Sequence, residues 1–222
     1  MAKVKMIKVE KLCKFYDSTP ILENLDLHIK AGQFCMITGP SGTGKSTLLN
    51  VLSRLDVYQS GQLHLMGKDI SKLTLKEMAL LRRKHIGFIF QSYNLISSKN
   101  CLENVALPLK YNKVGYFQRK SMSMTAIDRM GLTDKYYSYP YQLSGGQQQR
   151  IAVARALVTK PEILFCDEPT GNLDSQSAQL VMDGILSLKK SGSAVLMITH
   201  DKNLLKYADC CYILKDGSLT QQ

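Results

Sequence analysis

The residues that most constrain this chain are Gly39-Pro40-Ser41-Gly42-Thr43-Gly44-Lys45-Ser46, which fit the pattern G-x-x-x-x-G-K-[ST]. Ahead of them, Gln33 to Thr38 is a short apolar run suited to a buried strand, and behind them Ser46 to Leu52 reads as a helix. Strand, glycine-rich loop and helix in that order make a phosphate cradle. Glycines let the backbone curl until successive N–H groups face phosphate oxygens. A helix beginning at Lys45 adds the positive end of its dipole. Lys45 is placed to reach the β- and γ-phosphates, and the Ser46 hydroxyl to ligate Mg²⁺.

A second constellation lies downstream. Ile163-Leu164-Phe165-Cys166-Asp167-Glu168 is an apolar strand ending in two adjacent carboxylates. Such a pair is costly beside a core unless a counter-charge meets it, and Mg²⁺ with Lys45 supplies one. Asp167 fits the metal-holding role in a phosphate-loop protein. Glu168, pointing the other way in an extended chain, is placed to face an attacking water as general base.

The rest of the pattern argues an α/β protein with a largely parallel sheet. Met6 to Leu12 and Leu25 to Ile29 alternate like half-exposed strands, and His85 to Phe90 reads as a buried strand. From Cys101 to Leu157 the chain reads as helical, with Phe117, Met124, Ile127 and Met130 along one apolar face of a helix over Tyr116 to Met130. Ser175 to Lys190 is a helix and Ala194 to Thr199 a strand. Asp216-Gly217 marks a hairpin turn.

Composition sets the outer bounds. With 45% hydrophobic and 21% charged residues, 222 residues can bury a core without disulfides. No stretch approaches the roughly 18 to 20 apolar residues of a membrane span, and the lysine-broken N-terminus does not suit a signal peptide. The expected location is cytoplasmic. Cys13, Cys35, Cys101, Cys166, Cys210 and Cys211 form no C-x-x-C pair, so neither zinc nor a disulfide is expected. Lysine and arginine number 29 against 18 acids, a formal +11 that suits a polyanion such as nucleotide, nucleic acid or an anionic membrane face.

Leu143-Ser144-Gly145-Gly146-Gln147-Gln148-Gln149-Arg150 opens a helix running to Val158, a further N-terminus suited to an anion. It resembles the signature motif of ABC ATPases, and it stands between the phosphate loop and the acidic strand, in that family's order. The resemblance implies a P-loop NTPase core with an antiparallel β subdomain and an inserted helical signature subdomain. One nucleotide-binding domain over residues 1–222 is expected, with the helical part roughly 92–157. It also implies ATP and Mg²⁺ as cofactors and a head-to-tail homodimer.

In that family the signature of one subunit closes over ATP held by the other's phosphate loop. Ser144, Gly145, Gly146 and Gln147 then serve the partner's site, with Asp174 of the Asn172-Leu173-Asp174 segment. Within one chain, Gly39 through Ser46 and Thr47 bind the nucleotide. Gln91 resembles the glutamine that touches Mg²⁺ and the attacking water, alongside Ser46 and Asp167 as metal residues. His200 resembles the histidine that contacts the γ-phosphate, so the catalytic set is Glu168, His200, Gln91 and Lys45. Tyr16 stands where the family stacks an aromatic ring on adenine, with Phe15 as a rival.

The finer resemblance is to the lipoprotein-release and macrolide-export group, carried by Gly39 to Gly44, Ile86 to Leu95, Glu103 to Leu109 and Glu168 to Asp174. It implies an ATPase driving a separate transmembrane permease, peripheral on the inner face of the membrane, that exports or extracts a hydrophobic substrate. The alternative is a non-transport ATPase that signals mechanically through a membrane partner to cell-wall hydrolases, as in the cell-division type. No nucleic-acid partner is expected. Leu95-Ile96-Ser97-Ser98-Lys99-Asn100 departs from the group's Leu-Pro spelling in a segment that faces the permease in relatives. Tyr136, Tyr137, Tyr139 and Tyr141 just before the signature are read first as packing of the helical part, with permease contact as the alternative.

Overall fold

A computed structural model describes residues 5–171 and 173–222. The chain opens with β1 (Lys5–Tyr16), β2 (Thr19–Lys30) and β3 (Phe34–Thr38), then α1 (Lys45–Leu52). Next come β4 (Ser60–Leu65), β5 (Lys68–Asp69), α2 (Leu75–His85) and β6 (Ile86–Ile89). Three helices, α3 (Cys101–Tyr111), α4 (Tyr116–Asp128) and α5 (Gly145–Leu157), precede β7 (Ile163–Asp167). Last are α6 (Ser175–Lys190), β8 (Ala194–Ile198), β9 (Cys210–Lys215) and β10 (Ser218–Gln221).

The strands form two sheets. One is antiparallel, in the order β2-β1-β4-β5. The other runs β10-β9-β3-β8-β7-β6 and is parallel throughout except for the β9–β10 hairpin. The apolar runs β3, β7 and β8 are buried on both faces, as parallel strands covered on two sides must be. Their alternation divides the core in two. Cys35, Ile37, Phe165, Leu196 and Ile198 face the antiparallel sheet, α1 and α2. Phe34, Met36, Leu164, Cys166, Val195 and Met197 face the other way, onto α3, α5 and α6.

The helices begin where side chains satisfy their free amides. Thr74 with Glu77, Asn100 with Glu103 and Ser144 with Gln147 are capping boxes for α2, α3 and α5. Periodicity located α4 but misassigned Phe117. Met130 and Ile127 are buried, whereas Phe117 is 84% exposed, because it lies in the first turn before the apolar face reaches the core. The expected strand from His85 to Phe90 is shorter at both ends, since His85 closes α2. Neither α2 nor β4 stood out in the sequence, each having two buried apolar residues among polar ones.

The departing segment before α3 has one organiser. Asn104, fully buried, accepts from Ile96 N at 2.8 Å through Oδ1. Its Nδ2 donates to Ile96 O at 3.1 Å, Lys99 O at 2.9 Å and Asn100 O at 3.0 Å. One amide thus holds residues 96–100, in a turn with a single internal backbone bond from Lys99 N to Ile96 O at 3.0 Å. Asn104→Ala should lower stability by about 2–3 kcal/mol through the groups it leaves unpaired. A reduced urea midpoint at unchanged m would register this, and an unchanged midpoint would deny the amide that role.

Candidate functional site

Four neighbouring parallel strands, β3, β8, β7 and β6, deliver their C-terminal ends to one edge of the sheet. In open α/β sheets that edge is where ligands bind. β3 runs into the glycine-rich loop, β8 into Thr199-His200, β7 into Asp167-Glu168, and β6 toward Gln91. Residues separated by more than a hundred positions thereby share one rim.

The loop is shaped by its glycines. Gly39 has φ +147°, and a Cβ there would lie 2.3 Å from Leu214 O on β9. Gly44, at φ +88°, caps α1, and a Cβ on it would meet Ile21 Cγ2 at 2.7 Å. Lys45 Nζ lies within the curl, donating to Gly39 O at 2.9 Å and Pro40 O at 2.6 Å, while Thr43 Oγ1 donates to Pro40 O at 3.0 Å. The expected α1, beginning at Lys45, is where the sequence placed it.

Opposite the loop, Asp167 is 9% exposed and hydrogen-bonded by the Ser46 hydroxyl. Burial raises its carboxyl above the ordinary value; the Ser46 bond and the Lys45 charge oppose this, and repulsion from Glu168 adds to it. Glu168 differs from its expected geometry. It is not extended but has φ +48°, past the end of β7. The turn, rather than strand alternation, carries its carboxylate away from Asp167 and onto His200, whose Nδ1 lies 2.9 Å from Glu168 Oε1. Glu168 N also donates to Ile198 O at 3.0 Å, fixing the turn against β8. Lys45, Ser46, Asp167, Glu168 and His200 are thus brought together, with exposed Gln91 at the adjoining strand end.

Tyr16, and not Phe15, stands against α1: its hydroxyl shares a hydrogen bond with Thr47, and the residue is 47% exposed. Ser144 and Gly145 are exposed at the start of α5, where Ser144 Oγ accepts from Gln147 N at 3.3 Å and Gln147 Oε1 accepts from Ser144 N at 3.0 Å. Asp174 is the N-cap of α6, accepting from Ser177 N at 2.9 Å and Ser177 Oγ at 2.7 Å. Asn172 lies outside the described residues.

Two residues with no role of their own assigned from the sequence, Gln149 of the signature stretch and Arg155, tie the α5 helix to this rim. Gln149 Nε2, buried, donates to Pro169 O at 3.1 Å just beyond the acidic pair. Arg155 donates to Asn94 O at 2.6 Å and Tyr93 O at 2.8 Å, holding the loop after Gln91 where both residues have positive φ. The signal for Arg155 was available: a lone arginine inside the apolar run Ile151 to Leu157. Of the four tyrosines just before the signature, Tyr136 packs against the core, whereas Tyr137 and Tyr141 are 63% and 78% exposed.

The family described as ABC transporter matches residues 22–171. An uncharacterised ABC transporter ATP-binding protein of Methanocaldococcus jannaschii is 43% identical over 97% of this chain and 98% of its own length. The macrolide export ATP-binding/permease protein MacB of Campylobacter fetus is 44% identical over 96% of this chain, which spans only about a third (34%) of that relative. The ATP-binding cassette MJ0796, solved as a dimer in a post-hydrolysis state bound to ADP and Pi, superposes with a TM-score of 0.93 at 36% identity, covering 98% of each chain.

The contrast between two loop glycines tests the loop geometry. At Gly42, φ +78°, an added methyl would meet nothing within 4 Å, whereas at Gly39 the β9 backbone blocks it. Gly42→Ala should cost about 1 kcal/mol of backbone strain, and Gly39→Ala at least ~3 kcal/mol with loss of nucleotide binding. Urea unfolding and nucleotide titration of both variants decide this; equal stability of the two would contradict the packing of Gly39 on β9.

Proposed function

The chain belongs to the ABC transporter ATP-binding family, and from that premise we propose that it hydrolyses ATP in a head-to-tail homodimer that drives a membrane permease. The observation that carries the chemistry is the Glu168–His200 contact at 2.9 Å beside the phosphate loop. A carboxylate outside the metal position, oriented by an imidazole, suits a general base acting on water. His200, 73% exposed in its side chain, is accessible to a bound γ-phosphate, the role its resemblance implies. Gln91 completes the water-facing rim, and Lys45 and the loop amides neutralise the β- and γ-phosphates.

The donor set fits Mg²⁺. A buried carboxyl of raised pKa hydrogen-bonded to a serine hydroxyl offers two hard oxygen donors and needs positive charge. Asp167 and Ser46 would hold the ion, with Gln91 beside them, and when bound it supplies charge neutralisation for the transferring phosphate.

The trans half of the site is proposed on the exposure of Ser144, Gly145 and Asp174 at the openings of α5 and α6, and on the dimeric state named for the superposing cassettes. Residues 1–222 are read as one nucleotide-binding unit, with roughly 92–157 as the arm that meets the permease. Exposed Tyr137, Tyr139 and Tyr141 at that arm suit an interface. No helix among the described residues is long and apolar enough to cross a membrane. Relatives of matching length, named only as ATP-binding proteins, support a permease on a separate chain at the inner membrane face. The macrolide-export relatives support a hydrophobic cargo.

Glu168→Gln tests the mechanism. Turnover should fall by roughly 10²- to 10⁴-fold, while ATP still binds and the variant elutes as a dimer only when ATP and Mg²⁺ are present. Turnover within a few-fold of the parent would remove Glu168 from the role of base.

A further inference from the structure

The aromatic at the nucleotide end of β1 does not stand alone. Tyr16 Oη donates to Asp56 Oδ2 at 2.6 Å and shares a hydrogen bond with Thr47 on the phosphate-loop helix. Asp56 Oδ1 accepts from Lys14 Nζ at 3.0 Å and from Val57 N at 2.7 Å. Lys14 Nζ lies 4.3 Å from the Tyr16 ring centroid, over one face of the ring. Its side chain is only 3% exposed.

A nearly buried lysine is rare and costly, because its ammonium gives up water. Lys14 falls on the core-facing phase of β1, two residues after buried Leu12. Burial works against charge on Asp56 as well. Even so, bonds from Tyr16, Lys14 and the Val57 amide hold its carboxyl below the ordinary value. Asp56 therefore stays ionised at neutral pH within this pair. The pair is spent on a ring that remains half exposed, when a core needing only stability would place an apolar side chain there.

We propose that Lys14 and Asp56 are positioning residues for the nucleotide base. Asp56 locks the Tyr16 phenol by its hydroxyl. Lys14 fixes Asp56 and closes the inner face of the ring, so that a purine meets only the outer face of an aromatic already immobilised. The benefit is preorganisation: a fixed ring loses no rotamer freedom when the base stacks on it. The ammonium beneath the ring is held by a cation–π contact that withdraws electron density from the inner face. Asp56 follows α1 by four residues, and its N–H donates to Asn50 O at 3.1 Å, so the ring is referenced to the same helix that begins the phosphate cradle. Base and phosphates are then gripped by one rigid unit.

The inference rests on the reading of Tyr16 as the base-stacking residue, and the two are separable. Equilibrium binding of Mg-ATP and of Mg-tripolyphosphate, which has no base, is measured for Tyr16→Ala, Tyr16→Phe, Lys14→Met and Asp56→Asn. Loss of the stack in Tyr16→Ala should weaken ATP by roughly 5- to 150-fold. The other three should weaken it about 3- to 10-fold, with KM for ATP rising and kcat held within about twofold. Tripolyphosphate should bind all four within about twofold of the parent. Asp56→Asn added to Tyr16→Phe should cost no further affinity, since the shared bond is already gone. If Tyr16→Ala binds ATP like the parent, the stacking reading itself falls. If Tyr16→Ala is weak but Tyr16→Phe and Lys14→Met match the parent, stacking stands and the positioning role is overturned. Parallel loss of tripolyphosphate and ATP would also overturn it, because the pair would then only hold the fold.

Discussion

A carboxyl buried at the end of β7 is the constraint on which the site depends. Asp167 sits at the rim of a core whose strands β3, β7 and β8 are closed to water on both faces. A carboxylate there is tolerable only with hydrogen bonds and opposite charge nearby. Ser46 and Lys45 supply them, and both come from the first turn of α1. The phosphate loop and the acidic strand must therefore close on each other across β8. That closure brings His200, which follows β8, within reach of Glu168. The proposed catalytic geometry and the relief of a buried charge are one arrangement here.

The helical layer shares a continuous core with the parallel sheet, and a few polar bonds tie it to the site as well. Gln149 holds Pro169, beyond the acidic pair, and Arg155 holds Tyr93 and Asn94, beyond Gln91; both side chains rise from α5, the helix that Ser144 opens. The chemistry at the strand ends and the opening of α5 are thereby mechanically linked.

The sequence disclosed most where residue types are rare and their spacing rigid. The glycine-rich loop, the acidic strand end and the Ser144 helix opening each lie where their spelling placed them, because glycine at positive φ and a capping serine have few alternatives. Lys14, Asp56 and Asn104 were not legible as a group. Their partners lie up to 42 positions away in the first two cases, and Asn104 looks like any helical asparagine until its loop closes over it. Glu168 was placed correctly beside its strand for a different geometric reason, since alternation presupposes an extended residue and the chain turns there instead. Phe117 shows the same limit: periodicity names a face but not where along the helix that face meets a core.

Net charge is the property whose meaning changes most when the fold is known. A formal +11 suggests a surface that attracts polyanions. Five arginines, however, donate to backbone carbonyls: Arg54 to Ile70, Arg82 to Arg54, Arg119 to Val114, Arg150 to Met130 and Arg155 to Tyr93 and Asn94. A guanidinium used in this way ties loops to helices through a neutral acceptor, so it adds positive charge to the chain without calling for an acid beside it. Lys45 is turned into the phosphate loop and Lys14 beneath Tyr16. Part of the basic excess is thus internal architecture. Sequence charge therefore overstates the basic surface available to an anionic membrane or nucleic acid.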